Sequence, residues 1–234
     1  LFRSLAAGDW PQVRALAALP EHALFPWLTV AITAGQHLLA QFTEYGDWSQ
    51  PAQVAQTMWL GSALLALFSV LNLWLVHRLA RVAGAGEAAA GWALLLMAAS
   101  NTAFYHARHL LPYECAISAA LLALIVGLRA TRPFGAFMGG VLIGAIYGLY
   151  NGYWFLVPVI WLVLAAAHRH RPDRWRQWTS SAVGTVVALV LPVASGAALG
   201  GEQYWTTLRT FSRSVTLGRF DEAWSLPWEY LWHS

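Results

Sequence analysis

Long apolar runs, separated by short segments that carry arginine, restrict this chain to a small set of folds. A helix needs about 17 to 25 mostly apolar residues to cross the ~30 Å hydrocarbon layer of a membrane. Runs of this kind follow one another along the chain, at Val54–Val76, Ala88–Tyr105, Tyr113–Leu128, Phe134–Tyr150, Tyr153–Ala167 and Thr179–Leu199. The pattern predicts an all-α, polytopic transmembrane helix bundle with about six spans.

Charged residues are too few to cover a water-exposed surface. They make up 11% of the chain, whereas a soluble domain has about 25%. We therefore expect a single membrane domain over residues 1–234. It divides into an outer-face loop and juxtamembrane helix (1–53), six transmembrane helices (54–199) and a second outer-face loop (200–234). Because the chain starts at Leu1 without a methionine, we interpret it as part of a longer protein.

A seventh apolar run, Ala23–Phe42, contains Pro26, Gln36, His37 and Gln41. Two placements are open: the run spans the membrane from a cytoplasmic start, or it lies on the outer surface. Its polar side chains would be costly in the middle of a bilayer. This cost favours an interfacial or re-entrant helix.

Arginine gives the predicted orientation, because short cytoplasmic loops keep positive charge. All 14 Lys and Arg residues of the chain are arginines, and Arg108 is the main exception to the pattern. Eight of them follow alternate spans, at Arg78, Arg81, Arg129, Arg132, Arg169, Arg171, Arg174 and Arg176. We expect these loops to be cytoplasmic, in a multi-pass protein of the bacterial inner membrane. Because the arginines lie in short loops rather than along one face, the sequence does not favour nucleic-acid binding.

The densest polar cluster lies between the second and third predicted spans, in NTAFYHARHLLPYE. Its members are Asn101, Tyr105, His106, Arg108, His109, Tyr113 and Glu114. On a helix Tyr105, Arg108 and His109 project to one side. A guanidinium at the outer surface suits a phosphate or diphosphate, and a nearby acid can orient a sugar or assist proton transfer. The alternative is that Arg108 pairs with Glu114 or reaches lipid headgroups.

Four other polar sites have simple explanations from their positions. Glu21 and His22 fit the start of an interfacial helix. Asn151 and Gly152 fit an outer turn, although they share the predicted face of Arg108. The remaining pairs, which we interpret as solvated loop residues, are His168 with His170 and Asp221 with Glu222. The single cysteine, Cys115, cannot form a thiol metal cage, and we expect no metal and no cofactor.

The order of these segments resembles the bacterial GT-C membrane glycosyltransferases, in particular glycosyltransferase family 39, the dolichyl-phosphate-mannose-protein mannosyltransferase-like group. The matching segments are LFRSLAAGDW, LPEHALFPWLTVAI, AQVAQTMWLGSALLALFSVLNLWLVHRLAR and YHARHLLPYECAISAALLAL. In the last segment Arg108, Pro112 and Tyr113 match a Tyr-Ser-Arg-x-x-Arg-Pro-Tyr pattern. His109 and Leu111 depart from it, and Leu111 replaces a frequent second arginine.

The resemblance implies transfer of a hexose or pentose from a polyprenyl-phosphate donor to an acceptor on the outer face. In this hypothesis Arg108 holds the donor phosphate together with His106 or His109, and Tyr113 and Asn151 lie beside the substrate. Glu114 is the catalytic candidate, which positions the sugar or the acceptor. The family's first-loop acid would precede Leu1. The alternative is a non-catalytic accessory subunit of a larger respiratory or photosynthetic membrane complex. The expected partners are membrane lipids, the lipid-linked sugar and, in the second case, other proteins.

Overall fold

The computed structural model describes residues 8–17, 25–42, 51–100, 113–150 and 153–217. Within these ranges the chain forms helices and turns, with no strand. The prediction of an all-α chain is confirmed for this part of the sequence. The helices are α1 (Trp10–Ala17), α2 (Phe25–Ala40), α3 (Pro51–Val82), α4 (Glu87–Ala98), α5 (Tyr113–Arg129), α6 (Pro133–Leu149), α7 (Leu156–His168) and α8 (Arg174–Leu217).

The chain divides into two compact units. The larger one comprises His22–Pro192 with Phe2, and the smaller one comprises Arg3–Glu21 and Val193–Ser234 with Leu1. Helix α8 therefore contributes its first part to the larger unit and its second part to the smaller one. The expectation of a single membrane domain over residues 1–234 stays a prediction.

One helical stretch of the described residues, Arg174–Thr210 in α8, is long and apolar enough to cross a membrane by length and composition. Three further helices are apolar but shorter: α4 with 12 residues, α6 with 17 and α7 with 13. The predicted bundle of six spans is therefore not confirmed. The described residues form helices and turns, and one of their helices is long enough to span a membrane.

Side chains at the end of α3 and the start of α4 join these two helices. Glu87 lies in the first turn of α4, where a negative charge is favoured by the helix dipole. Its Oε2 is 3.2 Å from Nε of Arg81, and its Oε1 is 3.2 Å from Nε2 of His77. Arg81 also donates to the carbonyl of Ala85 at 2.9 Å. The turn between α3 and α4 is thus held at several points.

The core of the larger unit combines four alanines with four larger aliphatic side chains. Its buried members come from α5, α6 and α7, and they are Ala116, Ala119, Ala120, Ala123, Ile143, Ile146, Ile160 and Leu164. Four alanines on one face of α5 let the neighbouring helices approach closely. Tight contact between helices gains dispersion energy over many atom pairs, although each pair contributes little.

Helices α6 and α8 touch backbone to backbone at glycines. A methyl group added to Gly140 would collide with the carbonyl of Ser181, and one added to Gly184 would collide with the carbonyl of Phe137. The hydroxyl of Thr185 donates across the same contact to the carbonyl of Gly140 at 3.1 Å. Small residues and interhelical hydroxyl bonds of this kind are typical of helix pairs inside membranes.

The smaller unit contains a break in α8. Gly201 has φ 56° and ψ −134°, outside helical geometry, and a positive φ of this kind is open mainly to glycine. The break brings Tyr204, which is 2% exposed, against Gly196. In a straight helix these two residues would be about 12 Å apart along the axis. The segment after Gly201 therefore folds back onto the turn before it.

Replacing Gly140 by alanine should destabilise the larger unit, because the new methyl group meets the Ser181 carbonyl. Overpacking of this kind costs about 1 to 3 kcal/mol, and each kcal/mol lowers the melting temperature by about 2 to 4 °C in a chain of this size. The matched control is Gly91→Ala in α4, where an added methyl group meets nothing within 4 Å. Thermal unfolding in lipid nanodiscs measures both. Equal melting temperatures for the two variants would contradict the close contact.

Candidate functional site

Two of the predicted site residues, Tyr113 and Glu114, belong to the described part of the chain, and both lie in the first turn of α5. The others fall outside the described residues, and their roles stay predictions. They are Asn101, Tyr105, His106, Arg108, His109 and Asn151. Glu21, His22, Asp221 and Glu222 also fall outside.

Glu114 is a buried carboxyl group. Only 3% of it is exposed, and it faces α3. Its Oε2 accepts a hydrogen bond from Nδ2 of Asn72 at 2.5 Å, while its Oε1 is buried without a hydrogen-bond partner. Burying a carboxyl oxygen with no partner is costly. This oxygen therefore keeps an unused capacity to accept a hydrogen bond.

Asn72 and Ser118 hold Glu114 in place, and we call the three residues the polar triad. Nδ2 of Asn72, which is fully buried, also donates to the Glu114 carbonyl at 3.0 Å. The Ser118 hydroxyl lies 2.6 Å from Oδ1 of Asn72 and 2.9 Å from the Glu114 carbonyl. A hydroxyl has one proton to donate, and the shorter contact, to Oδ1 of Asn72, is the better hydrogen bond. The triad joins the middle of α3 to the first two turns of α5.

Three tyrosines lie beside the triad at the same end of α5. The ring centroids of Tyr113 and Tyr150 are 4.5 Å apart and those of Tyr150 and Tyr153 are 4.9 Å apart, both edge to face. The phenols of Tyr113 and Tyr150 are hydrogen-bonded to each other. This tyrosine cluster connects the start of α5, the end of α6 and the segment before α7. The predicted substrate residue Asn151 lies in the sequence between two of its members.

The site combines a fixed carboxyl group with aromatic rings that carry hydroxyls. A carboxylate with a free oxygen accepts a hydrogen bond from a substrate hydroxyl, or takes its proton. Tyrosine offers an apolar face and a polar edge together. Among the described residues, no group of three or more His, Cys, Asp or Glu side chains could hold a metal ion.

Asn72 and Ser118 were not among the residues predicted from the sequence. Asn72 lies inside the predicted span Val54–Val76, and polar side chains inside such spans usually face other helices. Ser118 lies four residues after Glu114, on the same helix face. Both signals were present in the sequence, but neither names the partner.

The prediction for His168 was wrong. We expected it in a solvated loop together with His170, but His168 is 4% exposed and ends α7 inside the bundle. His170 is exposed and accepts a bond from Nε of Arg169 at 2.8 Å. Burial lowers the pKa of His168, and the charge of Arg171 lowers it further. The physical reason is that the first turns of α8 pack against the end of α7 and shield His168 from water.

The family model that matches the chain is a family of unknown function (DUF6057), over residues 53–222. This match covers more than two thirds of the sequence. The chain belongs to this family. All residues of the triad and the tyrosine cluster fall inside the matched segment. The chain matches no curated protein and no solved structure.

Replacing Asn72 by leucine should destabilise the protein strongly, because it leaves a buried carboxyl group and a buried hydroxyl without their partner. We expect a loss of about 3 kcal/mol in the free energy of unfolding. The triple variant Asn72→Leu, Glu114→Met, Ser118→Ala should recover most of it, because removing all the partners leaves no polar group unpaired.

The matched control for this series is Thr179→Ala. Its hydroxyl is exposed and bonds only within its own helix, so a change below about 0.5 kcal/mol is expected. Urea unfolding in mild detergent gives the four values. A triple variant no more stable than Asn72→Leu would contradict the triad as the cause.

Proposed function

We propose that the chain is part of a membrane glycosyltransferase, which moves a sugar from a polyprenyl-phosphate donor to an acceptor on the outer face of the bacterial inner membrane. The observation that carries this proposal is the buried carboxyl group of Glu114 with its unpartnered oxygen, fixed by Asn72 and bordered by the tyrosine cluster. The order of motifs that resembles glycosyltransferase family 39 supplies the reaction class.

A multi-pass arrangement is supported by the outward faces of the helices in the larger unit. Alanines make up half of the core there, while many large apolar side chains point outward, an arrangement suited to lipid rather than to water. Examples on α3, α4, α7 and α8 are Leu67 (61% exposed), Trp92 (66%), Leu96 (71%), Leu162 (70%) and Leu191 (62%). Hydrophobic surface of this extent is rare on soluble monomers.

The proposed orientation is supported by contacts among the arginine-bearing turns. Arg171, between α7 and α8, donates to the carbonyl of Ala130, between α5 and α6, at 2.5 Å. These two turns therefore lie at one end of the unit. The tyrosine cluster lies at the opposite ends of α5 and α6. In the positive-inside arrangement the arginine end is cytoplasmic, and Glu114 with the tyrosines is near the outer face.

Single cysteines test this orientation. On a Cys115→Ala background, Thr131→Cys at the arginine end should react with an impermeant maleimide only from the cytoplasmic side, and Trp154→Cys only from the outside. Both positions are exposed. Intact spheroplasts and inverted vesicles present the two sides. Labelling of both cysteines from the same side would rule out the proposed orientation.

In the proposed reaction the donor phosphate binds Arg108, with His106 and His109 near it. A guanidinium forms paired hydrogen bonds with phosphate oxygens and stabilises the charge that grows on the leaving phosphate. Glu114 uses Oε1 to orient a sugar or acceptor hydroxyl, and it takes the proton if that hydroxyl attacks. Tyr113 and Asn151 border the same substrate. Asn72 acts only through Glu114, as a positioning residue.

We expect Arg108→Ala to reduce transfer about 10²- to 10³-fold, as the loss of a charge-stabilising donor does, and Glu114→Gln to reduce it about 10²-fold or more. The full-length protein in proteoliposomes is given radiolabelled polyprenyl-phosphate hexose or pentose, with a membrane extract as the source of acceptors. Label leaving the lipid fraction is counted. Arg129→Ala, at the arginine end, is the control and should keep full transfer.

Full transfer by folded Arg108→Ala and Glu114→Gln variants would refute the assigned roles. No transfer by the wild-type protein with either donor would favour the second candidate, a non-catalytic accessory subunit of a respiratory or photosynthetic membrane complex. One observation favours that candidate. The triad joins α3 to α5, and this structural role alone is a sufficient reason for its buried polar groups. Co-purification of a stable set of membrane proteins with the full-length chain would support it.

A further inference from the structure

A small cavity lies near the arginine end of the larger unit, where α5, α6, α7 and α8 meet. Its lining includes Gly127 of α5, Ala136 of α6 and Leu164 of α7, and it has a volume of about 20 Å³. A cavity needs about 10 to 15 Å³ measured in this way to hold one water molecule. The cavity is therefore the right size for one water molecule and too small for a sugar or a phosphate.

Four polar side chains line the cavity, and each has a buried atom without a hydrogen-bond partner. These atoms are Nε2 of His168, Oε1 of Gln177, Nε1 of Trp178 and Oγ of Ser181. Three of the four residues are themselves deeply buried: His168 is 4% exposed, Gln177 1% and Ser181 7%. Leaving several such atoms unpaired in one place is rare in native proteins.

The chemistry of the four atoms can be assigned. His168 donates to the Leu128 backbone, and because Nε2 has no partner, the donor is Nδ1. Burial and Arg171 lower the pKa of His168, which keeps its ring neutral, so Nε2 is an acceptor. The amide nitrogen of Gln177 donates to Asp173 at 2.9 Å, which leaves its Oε1 as an acceptor. The indole of Trp178 is a donor only, and the Ser181 hydroxyl is either.

We propose that this cavity binds one water molecule through four hydrogen bonds. The water donates its two protons to Nε2 of His168 and Oε1 of Gln177, and it accepts from Nε1 of Trp178 and Oγ of Ser181. Buried waters typically make about three bonds to otherwise unpaired polar groups. A cation does not fit, because the indole N–H faces it and Arg171 is near. An anion does not fit, because two of the four atoms are acceptors.

The bound water has a structural role that the protein atoms alone do not fill. It joins the end of α7 to the first two turns of α8, where Nη1 of Arg174 also donates to the carbonyl of Arg169 at 2.7 Å. Through Gln177 it also connects His168 to the exposed turn that holds Asp173. This assignment is independent of the proposed transferase activity, because the cavity and the triad occupy different ends of α5.

Ser181→Ala tests the proposal by the sign of its effect. With water bound, the variant removes one of four partners and should lower the melting temperature by about 2 to 4 °C. In a dry cavity it would remove an unpaired buried hydroxyl and raise the melting temperature instead. The control is Ser180→Ala, the adjacent half-buried serine, which is not part of the cavity lining. An effect no more destabilising than that of Ser180→Ala would overturn the proposal.

A second measurement works on the unaltered protein. The chain is labelled with ¹⁵N-histidine and studied by solid-state NMR in bilayers. Magnetisation that starts on water protons should be transferred to Nε2 of His168 within short mixing times. The signal is assigned by its loss in His168→Gln, and exposed His170 is the positive reference. A His168 signal with no transfer from water, while His170 receives it, would show a dry cavity and refute the site.

Discussion

The larger unit depends on the contact between α6 and α8, where Gly140 and Gly184 allow two backbones to meet. Large apolar side chains cover the outside of this unit. In the proposed membrane arrangement the hydrophobic effect between helices is weak, because lipid tails are as apolar as these side chains. What remains is dispersion at close range and hydrogen bonds between helices. Glycine and alanine on the inner faces supply the first, and the Thr185 bond to Gly140 is an example of the second. The alanine face of α5 extends the same packing towards α7.

Polar groups in this unit are sparse, and each cluster lies at a boundary between helices. The polar triad occupies the boundary of α3 with α5, and the four unpaired atoms around the small cavity occupy the boundary of α7 with α8. The first cluster leaves one carboxylate oxygen unsatisfied, at the end proposed to receive substrate. The second leaves four atoms that one solvent molecule satisfies together. The same observation, a buried polar atom without a partner, thus supports a different proposal in each place: a contact to substrate at Glu114 and a bridging water at the small cavity.

The extents of several helices follow closely from the sequence. The predicted run Tyr113–Leu128 and helix α5 differ by one residue at the end, because Pro112 and Arg129 mark the boundaries. Helix α3 is longer than its predicted run because Arg78 and Arg81 continue the helix while their charged ends reach outward. Helix α4 ends at Ala98, before the predicted Tyr105, since an apolar run alone does not show where helical hydrogen bonding stops.

The candidate site was predictable in part. Glu114 and Tyr113 stood out as polar residues at a span end, and the structure places them beside each other in α5. Their partners come from other parts of the chain: Asn72 from α3, Tyr150 from the residue after α6, and Tyr153 from the segment before α7. Pairing of this kind depends on which helices are neighbours, and periodicity within one helix carries no information about that. The burial of His168 was missed for the same reason, because the packing of α8 against α7 removes it from water.

The link between Asn72 and Glu114 bears on how the chain is made. The two residues are 42 positions apart, and synthesis proceeds from the amino terminus, so α3 has left the ribosome before α5 does. A helix that carries a carboxyl group enters lipid at a high cost when it is alone. In the proposed multi-pass arrangement, Asn72 of α3 is present when α5 is made, so its amide can bind Glu114 and the two helices can enter the lipid together. Because α3 precedes α5 in the sequence, the partner that lowers the cost of burying Glu114 is made before Glu114 itself.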